Sequence, residues 1–229
     1  MTTADVNPQS TLPEAPSDAA SPTASGPNVG DADDRATTIL EVTAALYAER
    51  GVSATTVRDI AERAGITSGT LYHYFPSKDA ITDRLLKTYL GDLVAAYRAA
   101  CEGDVPPPVA LRRLIRASLE VFTRHRAISE MYQNDARYLV STGSFDYIQT
   151  AAADCQGLWM SVIKQGQWQG DFRSDIDPWL FYFYCQDGIW SVLRWGRAPT
   201  RREYSLDELV DNAVRIYLGG FELPAGGPA

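Results

Sequence analysis

The chain has 229 residues, is 45% hydrophobic and 10% aromatic, and carries a formal net charge of −8, which suits one large domain or a small domain joined to a larger one. No apolar run approaches the length of a membrane span and no basic-then-apolar leader opens the chain, so a cytoplasmic protein with no membrane partner is expected. Three widely spaced cysteines (Cys101, Cys155, Cys185) and two histidines (His73, His125) form neither a disulfide framework nor a metal-ligand spacing, so no metal and no cofactor are expected.

Residues 1–34 hold six acids and no Lys or Arg, with almost no large apolar residues. Such a segment cannot offset its ordering entropy by burial and reads as a disordered acidic tail. The acidity of the chain is therefore mostly tail. Residues 35–90 hold seven bases against six acids, so the net charge does not exclude DNA as a partner.

From Asp34 onward the apolar period is helical. Ile39, Val42, Leu46 and Tyr47 make the inner stripe of a first helix that Gly51 stops. In "SATTVRDIAERAG", Thr56 is placed to cap a short second helix, with Val57, Ile60, Ala61 and Ala64 facing inward and Gly65 ending it. Thr67 or Ser68 caps a third helix, "SGTLYHYF", which ends before Pro76, and Ser77 caps a longer fourth helix. Gly103 to Pro108, "GDVPPP", is the clearest break. Beyond it, helices are expected over about 109–126, 128–140, 145–168, 177–196 and 205–219, followed by a flexible C-terminus over 221–229. No stretch sustains a period of two, so the fold class is all-α, with about nine helices.

Two short helices joined by a glycine turn, the second bearing small and polar residues, form a helix-turn-helix pattern. Ala61 is small where the helices must cross, and Gly65 permits a left-handed turn. Gly69 lets the backbone approach DNA, while Ser68, Thr70, Tyr72 and His73 supply donors. Lys78, at the start of the fourth helix, is placed to hold a backbone phosphate. A nucleotide-binding loop would need a preceding strand and a different glycine spacing. A pure core reading explains Leu71 and Phe75 but leaves Tyr72, His73 and the hydroxyl residues without a role.

Residues 54–81, "ATTVRDIAERAGITSGTLYHYFPSKDAI", resemble the DNA-binding segment of the TetR family of transcriptional regulators. The resemblance implies a DNA-binding module over 35–80 and a helical ligand-binding and dimerisation domain over 81–220. It also implies a homodimer joined through the last two helices, a double-stranded, near-palindromic operator, and no catalytic activity. Carried over to this chain, Thr56, Ser68, Gly69, Thr70, Tyr72, His73 and Lys78 are the expected DNA contacts. Many relatives have lysine where this chain has Ser68, which removes one candidate base or phosphate contact.

"MYQNDARYL" (131–139), "GDFRSDID" (170–177) and "DGIWSVLRW" (187–195) further resemble actinobacterial repressors of cholesterol-ring breakdown, which respond to a coenzyme A thioester of a steroid fragment. Tyr132, Trp159, Gln186, Trp190 and Arg194 are the expected ligand contacts on that basis. Those relatives carry arginine where this chain has Gln186, so both a CoA-thioester effector and a free hydrophobic acid stay open. The segment from Trp179 to Trp195 is apolar on more than one side, as a helix buried on several faces would be. No motif brings a nucleophile, a base or paired carboxylates together, so an enzyme is not expected.

Overall fold

A computed structural model describes the backbone of residues 29–195 and 204–221, and the side chains of residues 33–191 and 204–219. The described residues form nine α-helices and no strand. Residues 1–28, 196–203 and 222–229 lie outside the described residues, and with them most of the expected acidic tail and C-terminus.

The first helix, α1 (Val29–Arg50), begins five residues before Asp34, where the apolar period starts. Asp31, Asp33 and Asp34, which read as tail acids in the sequence, fall in its first turns. Ile39, Thr43, Leu46 and Tyr47 are its buried stripe.

Helix α2 (Val57–Arg63) starts with a capping box: Thr56 Oγ1 accepts from the Asp59 N–H, and the Asp59 carboxylate accepts from the Thr56 N–H. Gly65, at φ 66°, turns the chain into α3 (Ser68–Tyr74), capped by Thr67, whose side chain accepts from the Thr70 N–H. Ser77 caps α4 (Lys78–Ala100), a 23-residue helix about 35 Å long. Its N-terminus belongs to the helix-turn-helix module, and its later turns run through the larger domain.

Pro107 opens α5 (Pro107–Arg124), where its missing N–H costs nothing. This helix is the centre of the core, with Leu111, Leu114, Ile115, Leu119 and Phe122 all buried. His125 closes α5 and leads directly into α6 (Arg126–Ser141), its ring Nε2 lying 2.8 Å from Asp92 Oδ2 on α4. Helix α7 (Tyr147–Gln169) ends at Gly170, in the left-handed conformation at φ 82°.

Helices α8 (Pro178–Trp195) and α9 (Leu206–Phe221) close the fold. They approach closely at Gly188, where a Cβ would overlap the Tyr217 hydroxyl. The face they leave open is apolar: Trp179, Leu180, Phe183, Tyr184 and Ile216 are all exposed.

Candidate DNA-binding face and effector cavity

The helix-turn-helix is built as its sequence demands. Ile60, Ala61 and Leu71 are buried between α2, α3 and the rest of the module, and the Ile66 N–H bonds the Ala61 carbonyl across the turn at 2.9 Å. That packing leaves the opposite side of α3 in solvent. Tyr72 is 51% exposed, His73 and Gly69 are exposed, and Ser68 is half-buried at the first turn. These four make one surface that carries hydroxyl and imidazole donors and has no competing partner in the hydrogen bonds described.

The other three expected DNA contacts are committed differently. Thr56 Oγ1 donates to Asp59 Oδ2 at 2.6 Å, and Thr70 Oγ1 pairs with Thr67 Oγ1 at 2.9 Å. Both hydroxyls therefore complete helix caps. Lys78 was expected to hold a phosphate, but its ammonium donates to the Val52 and Thr55 carbonyls, at 2.9 Å each. It uses two of its three donors to close the loop between α1 and α2. Its position in the sequence, next to a helix cap, looks the same for either role. Arg58 is an exposed cation on α2, the helix that precedes α3, and its place two residues after the Thr56 cap is its signal in the sequence.

In the larger domain α4 to α8 line a half-open cavity of about 520 Å³, within the usual range for small-molecule sites. Its apolar wall is aromatic: Tyr97 from α4, Phe122 from α5, Tyr132 from α6, and Tyr182 and Trp190 from α8. The Phe122 and Trp190 rings stack at 3.9 Å between centroids and 19° between planes. The polar lining is mostly amide, from Gln133, Gln149, Gln156 and Gln186, with Asp187 as its one carboxylate among the described residues.

Of the five expected ligand contacts, Tyr132, Gln186 and Trp190 line this cavity. Trp159 does not: it is fully buried behind the wall, its ring 6.0 Å from both Tyr97 and Tyr182, and is a core residue. Arg194 lies on α8, but its side chain is outside the described residues. Burial pushes the Tyr182 hydroxyl and the Cys155 thiol up to about 12, so both stay protonated at neutral pH. The cavity therefore offers hydrogen bonds and ring surfaces, and Cys155 is held away from the reactive thiolate form.

No group of three or more His, Cys, Asp or Glu side chains that could hold a metal ion occurs among the described residues. No described helix is long and apolar enough to cross a membrane.

The sequence profile of bacterial regulatory proteins of the tetR family matches residues 39–85. Among curated proteins, the HTH-type transcriptional repressor KstR2 of Rhodococcus jostii (strain RHA1) is 36% identical over 190 residues, covering 83% of this chain and 92% of the relative. KstR2 of Mycobacterium tuberculosis (strain ATCC 25618 / H37Rv) is 41% identical over 168 residues, covering 73% and 84%. The solved structure of the ketosteroid transcriptional regulator KstR2 of Mycobacterium tuberculosis superposes with a TM-score of 0.77 at 38% identity, covering 83% of this chain and 96% of that one. The chain belongs to the tetR family of bacterial regulatory proteins and is a transcriptional repressor, not an enzyme.

Proposed function

We propose that this repressor binds a near-palindromic operator as a homodimer and releases it when a hydrophobic, steroid-derived effector enters the aromatic cavity. The observation that carries this reading is α4. One continuous helix holds the α1–α2 loop at its N-terminal Lys78 and lines the cavity with Tyr89, Leu93 and Tyr97 further along. A change in the cavity that shifts α4 is a change in the position of α3.

The face Ser68, Gly69, Tyr72 and His73 is the base-reading surface in this account, and Arg58 is an exposed cation on the preceding helix α2. The exposed apolar side chains of α8 and α9 support a two-fold interface through those helices. Such a dimer presents two copies of α3 to half-sites about one DNA turn apart. The site of action is the bacterial cytoplasm.

The relative described as a ketosteroid regulator supports a ring-bearing effector, and so does the flat aromatic wall. The amides at Gln133, Gln149, Gln156 and Gln186 suit the carbonyl or hydroxyl groups of such a ring. If the effector is a coenzyme A thioester, its ring portion occupies the cavity and its phosphate-bearing arm leaves through the mouth. A free steroid acid is the second form to test.

A thermal-shift series of steroid-ring acids and their CoA thioesters tests this, because a ligand of the folded state alone raises the melting temperature. Operator DNA must weaken the binding of a true effector by the same factor by which that effector weakens operator binding. A ligand that binds equally well with and without operator overturns the effector role.

A further inference from the structure

The loop between α1 and α2 is held from two sides by charged groups. Val52 donates its N–H to Asp135 Oδ2 on α6 at 3.0 Å, and its carbonyl accepts from Lys78 Nζ on α4 at 2.9 Å. The same ammonium takes the Thr55 carbonyl. Gly51, at φ 85°, lies against that carboxylate as well: a Cβ there would stand 3.4 Å from Asp135 Oδ1. The chain leaves α1 by wrapping around Asp135 and is delivered to Thr56, the cap of α2.

Asp135 has a second neighbourhood. It lies one helical turn along α6 from Tyr132, which lines the cavity together with Gln133. The Tyr132 ring packs 5.8 Å from the Tyr89 ring of α4. A single turn of α6 therefore touches both the effector cavity and the base of the DNA-binding module.

We propose that Asp135 is a positioning residue for operator recognition. Its carboxylate is the acceptor through which α6 fixes the orientation of α1 to α3. Displacing α6 from the cavity side pulls that acceptor off the Val52 amide and frees the module to turn. A hydrogen bond to a charged acceptor is about twice as strong as a neutral one and weakens steeply as its distance and angle open, so a modest shift of α6 separates a held module from a released one. The inference rests on the cavity being the effector site and α3 the recognition helix.

The test uses the full-length dimer and an operator duplex obtained by in vitro selection, with Asp135→Asn, Asp135→Ala, Tyr132→Ala and the double variant Tyr132→Ala/Asp135→Ala. Asp135→Ala should weaken operator binding on the order of tenfold, the worth of one hydrogen bond to a charged group. Asp135→Asn keeps an acceptor oxygen and should restore most of that loss. A residue that merely stabilised the fold would lower the melting temperature without this rescue pattern. Tyr132→Ala acts on the same turn of α6, so the double variant should lose less than the product of the two single losses. Operator affinity unchanged in Asp135→Ala, an asparagine variant as poor as the alanine one, or fully multiplicative losses would each overturn the inference. A wild-type protein that selects no operator would instead overturn the reading of α3 on which it rests.

Discussion

Ile216 is the sharpest probe of how two copies assemble. It stands 71% exposed on α9, next in sequence to Tyr217, which packs at Gly188 of α8. Fully burying an isoleucine side chain is worth roughly 1.5–3 kcal/mol, so covering the exposed part contributes about 1–2 kcal/mol per protomer. A two-fold interface uses the residue twice, which brings the total to about 2–4 kcal/mol, or about 30- to 1,000-fold in the dimer dissociation constant. Ile216→Asp also places a carboxylate where the interface excludes water, so it should reach at least the lower figure. The side chain makes little core contact, and the protomer should keep its helical circular dichroism and its melting profile in the monomeric range. Sedimentation equilibrium over a wide concentration range measures the constant directly. A constant within threefold of wild type would refute the assignment of the interface to α8 and α9.

Gly188→Ala places a methyl group on the Tyr217 hydroxyl and should cost about 1–3 kcal/mol, read as a lower denaturation midpoint that Tyr217→Phe partly restores. Trp190→Ala removes one half of the stack with Phe122 and should abolish the thermal shift given by any effector while leaving operator affinity within about threefold. The two Thr56 hydrogen bonds hold the Asp59 carboxyl below its ordinary value of 3.8. A depressed folded value gives stability that is complete above the unfolded value and lost as pH falls through the folded one. The protection factors of the amides at the start of α2 should therefore fall below about pH 4, and Asp59→Asn should flatten that dependence.

What the sequence disclosed best was local. Thr56, Thr67 and Ser77 cap where their spacing to the following apolar runs places them, and Gly65 takes the left-handed turn that its position between two short helices requires. Capping and turn chemistry act over three or four residues, so one chain carries the whole signal. The start of α1 was obscured because Asp31, Asp33 and Asp34 have the composition of a solvated tail, although the helix already begins at Val29.

Long-range partners were not legible. Lys78 looks like a phosphate ligand until the Val52 and Thr55 carbonyls are seen against it, 26 and 23 residues away. The Asp135 bond to Val52 spans 83 residues and has no trace in local composition. Trp159 and Trp190 are the same residue type, each within a long helix, and only the packing separates a core ring from a cavity wall. Of the amides that line the cavity, Gln186 was expected from the family resemblance, and Gln133, Gln149 and Gln156 emerged only with the fold.

Whether α3 reads a specific operator through its exposed face is decided by selecting DNA with the wild-type dimer and measuring that duplex against wild type and Tyr72→Ala by fluorescence anisotropy at fixed salt. One enriched, near-palindromic sequence with half-sites about one helical turn apart is expected. Tyr72→Ala should lose about 1–3 kcal/mol, with the remaining affinity shifted toward that for random DNA. No enriched sequence, or an enriched one bound equally by the folded Tyr72→Ala dimer, would contradict that role of α3.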